Sequence, residues 1–260
     1  MELVFPQMLA ALFALWWPFC RALAMLTMAP VLGDSMVPNA VRVLVALVLA
    51  VILLPVVQTP VGLNPWSAHG LLLTAEQLGA GAVVGLALSL TMAAVTTLGF
   101  VVSSQMGLSM AVMNDPLNGT SSDVVSNLLY VLAIVVFFSV DGHMVLVAVL
   151  GESLRVWPVG SGIALASLHG LAHGVAWVFS AALLLALPIV FSALVVQIGF
   201  GLLNRIAPAL NLFSLGFSVV TVFGLLMLTQ MVRFLPEHYM QLTRRVLDLL
   251  RTQWMVATHG

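Results

Sequence analysis

The chain has 260 residues, 62% of them hydrophobic and only 7% charged, with a formal net charge of −1. Soluble domains carry about 25% charged residues, so this composition belongs to the membrane class and excludes a soluble two-domain protein. All the basic residues are Arg and the net charge is near zero, which argues against nucleic acid as a partner, and the single Cys20 excludes an intrachain disulfide or a Cys-based metal cluster.

In chain order, the N-terminus has no basic region, carries Glu2, and is interrupted by Trp16-Trp17-Pro18, so it reads as a retained segment and not a cleaved signal. Leu3 to Leu32 is apolar and long enough to span, about 20 residues being needed. Arg21 lies in its middle, where a lone charge costs about 2.5–3.5 kcal/mol, so the side chain should face protein or water. Pro, Gly, Asp and Ser between residues 29 and 38 predict a turn. Asn39 is then placed to cap a second segment, Ala40 to Val57, with Arg42 in its first turn and Asp34 as its expected partner. A polar connection from Gln58 to His69 puts Trp66 at an interface position. Leu71 to Val102 is the third apolar segment; Gly81 and Gly85 give it a small-xxx-small pattern that lets helices approach closely.

The run from Gln105 to Asp123 breaks the apolar pattern. Asn114-Asp115-Pro116 and Gly119 cannot continue a spanning helix, since proline removes a donor and clashes with the preceding turn. Bare backbone in lipid is costly, so this loop must lie in water, against protein, or along an internal cavity. Met106, Met110 and Met113 fall at i, i+4 and i+7, one helical face of adaptable thioethers. Two readings follow: an interhelical loop with methionines in the core, or a deformable gate element lining a pore.

Val124 to Phe138 and Met144 to Leu150 form a fourth apolar stretch, bent at Ser139-Val140-Asp141-Gly142-His143. Residues 151–162 read as a loop. His169 and His173 open the next segment at i, i+4, and like the Asp141–His143 pair they are too few for a metal site. Leu171 to Leu203 is long for one straight span, and Pro188 predicts a kink. Asn204, Arg205 and Pro208 then make a polar turn before the last apolar segment, Ala209 to Val232, so Leu171 to Val232 reads as a helical hairpin. From Glu237 to Trp254 the pattern is amphipathic: Tyr239, Leu242, Val246, Leu249 and Leu250 share a face, with Arg244, Arg245 and Asp248 elsewhere. Those arginines favour a cytoplasmic C-terminus.

No nucleophile elbow, phosphate loop or metal-ligand set is present, so neither enzymatic activity nor a cofactor is expected. A small proton-coupled secondary transporter is the rival from another class, with Glu76, Asp115 or Asp141 as coupling carboxylates, although no internal repeat is evident. A membrane-embedded enzyme is the third reading.

Three blocks resemble one family: Ala29-Pro30-Val31-Leu32-Gly33 with Val37-Pro38 and Arg42; Asn114-Asp115-Pro116 with Gly119 and later Gly142-His143; and Gly201-Leu202-Leu203-Asn204-Arg205-Ile206-Ala207-Pro208-Ala209-Leu210-Asn211-Leu212-Phe213-Ser214-Leu215-Gly216. They are similar to the FliR family, which includes injectisome counterparts, over nearly the whole chain. Asp141 stands where the family pattern leads one to expect a second Gly. The resemblance implies an all-α, polytopic core subunit of the flagellar type III export gate, in the basal body of the bacterial inner membrane, conducting unfolded flagellar proteins. It implies partnership with FliP-like and FliQ-like gate subunits and an FlhB-like switch protein, besides membrane lipid. It further implies a FliP-like part over residues 1–160 containing the pore loop 105–123, a FliQ-like hairpin over 161–235, and a C-terminal tail over 236–260. On this reading Met106, Met110, Met113, Asn114, Asp115, Pro116 and Gly119 form the plug, and Arg21, Arg42, Asn204, Arg205 and Pro208 serve assembly.

Overall fold

The computed structural model describes residues 4–57, 64–108, 113–114, 121–162, 165–206 and 212–259. Among them run seven α-helices: α1 (Val4–Met28), α2 (Asn39–Leu53, continued by a 3-10 turn, Leu54–Val56), α3 (Ala68–Gln105), α4 (Val124–Ser139), α5 (Gly142–Val156), α6 (Leu165–Ile206) and α7 (Leu212–His259). The expected all-α architecture holds, relieved only by a two-residue antiparallel pair, β1 (Met113–Asn114) and β2 (Ser121–Ser122), with Met113 opposite Ser122. Five of the helices are long and apolar enough to cross a membrane, and α4 with α5, bent by 71°, makes a sixth candidate. At that bend Asp141 takes a left-handed conformation, φ 54°. Glycine adopts this most easily and Asp tolerates it, which explains why Gly is the family expectation at this position.

Four elements differ from the sequence expectation. Helix α2 begins at Asn39 itself, with Pro38 in the N-cap position and no side-chain cap. The Asn39 amide oxygen instead accepts a bond from Arg42 Nη1 at 3.1 Å. Helix α5 continues to Val156, through residues expected as loop, because Ser153 and Leu154 extend the buried stripe of Leu146, Val149 and Leu150. It stops at Trp157, where the following Pro158 disfavours helical backbone. The methionine face does not continue from α3, which ends at Gln105, and Gly107 takes a left-handed φ of 72°. Met113 therefore lies in β1, not on a helix with Met106. Finally, the C-terminal tail is no separate helix: α7 runs unbroken through Pro236 for 48 residues.

The chain divides into two compact units, each assembled from segments distant in sequence. The first comprises Met1–Leu90, Phe137–Gly174 and Arg244–Gly260. Here α1 lies along the first half of α3, and the small-xxx-small pattern permits it: a Cβ on Gly81 would strike the Arg21 carbonyl, and one on Gly85 would sit 2.5 Å from the Met25 carbonyl. Trp17, Leu73 and Val159 form a buried cluster with Trp16 and Val57 against it, and Trp16 Nε1 donates to Thr74 Oγ1 at 3.0 Å. The turn before α2 is clamped by Arg42, which donates to the Leu32 carbonyl at 2.8 Å and to the Asp34 carbonyl. The expectation was for the Asp34 carboxylate; the bond Arg42 makes to Asp34 is to its main-chain carbonyl.

The second unit comprises Thr91–Val136 and Val175–Thr243. Ala182, Ala186, Ile189 and Ala193 are the buried seam of α6, small residues at helical spacing. The opposite side of α6 exposes Leu183, Leu184, Leu187, Phe191 and Leu194, and in the first unit α2 exposes Val41, Leu44, Val48, Val51 and Ile52. Apolar faces on this scale require apolar surroundings, whether lipid or the helices of other subunits.

Candidate functional site

Within the second unit, the end of α3, the end of α6 and the start of α7 enclose a cleft of about 380 Å³. Ser104, Gln105, Met106 and Gly107 line one side, Gln197, Phe200, Gly201 and Asn204 another, and Gly216 and Val220 the third. Two sequence-predicted regions therefore meet here: the first residues of the pore loop and the polar turn that closes the hairpin.

Both ends of that loop are tied down. At the start, the Met106 carbonyl accepts a bond from Thr221 Oγ1 of α7 at 3.0 Å, and the Gly107 N–H donates to the Ser104 carbonyl at 3.2 Å. Met106 is fully buried, and its side chain fills the space over Gly224, where an added Cβ would lie 3.0 Å from Sδ. At the far end Asp123 caps α4: its Oδ2 accepts the Ser126 N–H at 2.9 Å, and its Oδ1 accepts the Ser103 hydroxyl of α3. The Ser126 hydroxyl lies 2.7 Å from that Oδ2 and 3.0 Å from the Thr96 carbonyl, donating its one proton to either. Gly99 allows this approach, since a Cβ there would sit 2.5 Å from the Ser126 Cα. The β1–β2 pair then clasps the two arms of the loop, Asn114 opposite Ser121.

Of the expected plug residues, Met106 is packed at the loop's base, and Met113 and Asn114 form β1. Met110, Asp115, Pro116 and Gly119 lie outside the described residues, as does Pro208. Asn204 lines the cleft, and Arg205 is exposed in the last turn of α6, where its charge complements the helix dipole. Arg21 and Arg42 belong to the first unit and have no part in the cleft. Arg21 is fully buried and donates through Nη1 to the Ser153 carbonyl at 2.6 Å, in the last turn of α5. A cation there is stabilised by the partial negative charge of the helix end.

Of the carboxylates of the transporter reading, Asp115 lies outside the described residues, and neither Glu76 nor Asp141 lines the cleft. Glu76 accepts the Gly160 N–H at 3.0 Å in the first unit, and Asp141 is exposed at the α4–α5 bend. Among the described residues no group of three His, Cys, Asp or Glu is placed to hold a metal ion, and His173 Nδ1 is 2.9 Å from the carbonyl of His169, one turn earlier. Sequence reasoning missed Ser103, Thr221 and Gly224. Only Asp123-Val-Val-Ser126 carried a signal, an acidic cap one turn before a hydroxyl at the head of an apolar run.

Comparison with known proteins places this chain in a family. Residues 12–246 match the family described as "Bacterial export proteins, family 1". The chain is similar to flagellar biosynthetic protein FliR of Pectobacterium carotovorum subsp. carotovorum, 31% identical over 90% of each chain. It is similar to the FliR of Escherichia coli (strain K12), 30% identical over 94% of each, and to the surface presentation of antigens protein SpaR of Salmonella typhimurium, 29% identical over 72% of each.

Proposed function

This chain belongs to the FliR family of bacterial export proteins, family 1, and from that premise we propose that it acts as a pore-forming core subunit of the flagellar type III export gate. It is a membrane-embedded helical component of an export apparatus, and its work is conduction, not catalysis. The observation that carries the mechanism is the double anchoring of the polar loop. Thr221 holds one end at Met106 and Ser103 holds the other at Asp123. A segment fixed at both ends to packed helices can yield in its middle while the bundle stays intact, as a plug must. We assign the plug to Met110, Met113, Asn114, Asp115, Pro116 and Gly119, with Met106 as its buried root.

Family membership supports the rest of the reading. Residues 1–160 supply a FliP-like part and 161–235 a FliQ-like hairpin, from which α7 continues. FliP-like and FliQ-like subunits cover the apolar faces that α2 and α6 leave open, an FlhB-like switch protein docks beside them, and the assembly sits in the inner membrane at the flagellar basal body. Arg205, exposed beside Asn204 at the end of α6, offers its guanidinium to a neighbouring subunit. Coexpression tests this. The chain should copurify with FliP-like and FliQ-like subunits, and Arg205→Ala should reduce recovery of the FliQ-like chain while leaving membrane insertion unchanged. A chain that purifies alone and catalyses proton-coupled uptake of a small solute would overturn the reading in favour of a carrier.

A further inference from the structure

We propose that the core of the first unit holds a bound water molecule, clasped between Arg21 of α1, Gln77 of α3 and Trp157 at the end of α5. Four side-chain atoms there are buried without a protein partner among the described residues: Arg21 Nε, Arg21 Nη2, Gln77 Oε1 and Trp157 Nε1. Arg21 and Gln77 are 0% exposed and Trp157 4%. Buried polar atoms are nearly always hydrogen-bonded, so four orphans on three residues of one unit point to a ligand.

Local geometry brings them together. One turn before Arg21 is Trp17, one turn before Gln77 is Leu73, and two residues after Trp157 is Val159; these three form a single cluster. Their sequence neighbours Arg21, Gln77 and Trp157 therefore border the same cluster, and we take the orphaned atoms to converge beside it. Gly81 lies beneath the Arg21 carbonyl and Gly85 beneath that of Met25, so α1 and α3 run side by side in one direction. Side chains lean toward the N-terminus of their helix, which carries the Arg21 guanidinium back to the level of Gln77. The guanidinium is fixed by its bond to the Ser153 carbonyl, and that carbonyl also accepts the Trp157 N–H at 3.0 Å. The Arg21 guanidinium and the main-chain N–H of Trp157 therefore share one acceptor, which brings the backbone of Trp157 beside Arg21.

The donor and acceptor pattern selects the ligand. Gln77 Nε2 lies 3.4 Å from Glu76 Oε1, and this weak donation orients the amide so that Oε1 is its open end, an acceptor. Arg21 and Trp157 offer only N–H donors. A metal cation would be repelled by the guanidinium, and an anion would face both the Gln77 carbonyl oxygen and the Glu76 carboxylate. Water accepts from the arginine and the indole and donates to the Gln77 oxygen, three bonds, the usual number for a buried water. Bound there, it joins three helices and links the guanidinium through Gln77 to Glu76, which itself holds the Gly160 N–H at 3.0 Å.

X-ray radiolytic labelling of the full chain in its purified complex tests this, because radicals formed at a bound water oxidise the side chain beside it even when bulk solvent is excluded. Trp157 should be oxidised several-fold faster than Trp17, a buried tryptophan of the same unit, 1% exposed, with no place at the water. Gln77→Leu, which removes the acceptor, should lower Trp157 labelling toward that of Trp17. Equal protection of Trp157 and Trp17 in the wild type would overturn the proposal, as would undiminished labelling in Gln77→Leu. If that variant fails to assemble, a density map of the wild-type complex decides: a peak bonded to Arg21, Gln77 and Trp157 supports the water, and direct contact of the guanidinium with Gln77 Oε1 refutes it.

Discussion

Asp123 shows how much one side chain can organise. Its carboxylate caps α4 through the Ser126 N–H and ties that helix to α3 through the Ser103 hydroxyl. Asp123→Ala should cost about 1–2 kcal/mol for the lost cap alone, read as a lower melting temperature of the purified complex, and Asp123→Asn should recover most of it. Equal melting of the Ala variant and wild type would show that the cap is replaced by another group. Arg42 is the counterpart in the first unit, its planar fork meeting two main-chain carbonyls and the Asn39 amide. Lysine cannot reproduce that fork, so Arg42→Lys should destabilise the chain by about 1.5–3 kcal/mol, the worth of a charged hydrogen bond, in the same assay. Met106→Ala should likewise cost about 2–5 kcal/mol, as for any fully buried methionine; loss of sealing with no loss of stability would make Met106 part of the plug and not of the core. Sequence reasoning sets Asp123 only at the end of the loop, although an Asp at the head of an apolar run is a cap signal. Its bond to Ser103 was not legible, because those residues meet only when α3 and α4 pack.

At the scale of elements, α7 separates what pattern reveals from what it hides. The amphipathic face was read largely correctly: Tyr239, Leu242, Val246 and Leu250 are buried and Leu249 is half-buried, while Arg244, Arg245 and Asp248 are exposed. The tail was set apart by its change of pattern after Val232, yet α7 continues through it, and helices in apolar surroundings tolerate a proline such as Pro236 when neighbours satisfy the freed carbonyl. A continuous helix changes what a truncation does. Removing the chain from Leu242 onward strips out three buried side chains, each stabilising by about 1.5–3 kcal/mol. The truncated chain should therefore be recovered in lower yield and melt at lower temperature, not merely export less; a truncation as stable as the full chain would show that α7 needs no C-terminal packing. The methionines at 106, 110 and 113 teach the converse. Their spacing fits a helix, but Gly107 at φ 72° turns the backbone before the pattern can be realised.

For the whole molecule, composition fixed the class and three motif blocks indicated the family, and residues 12–246 match it. The interleaving of the two units was not legible. Their division falls between Leu90 and Thr91, inside the unbroken apolar helix α3, where no linker residue or charge marks it. The export reading turns on the loop between Met106 and Asp123, and ion conductance of the assembled gate after deletion of residues 110–119 tests it most directly. The anchors at Met106, Thr221, Ser103 and Asp123 all survive that deletion, so helices and partner subunits should remain together. If the loop is the plug, the intact complex will leak ions and cells overproducing it will grow poorly. An intact complex that stays as tight as the wild type would contradict the assignment.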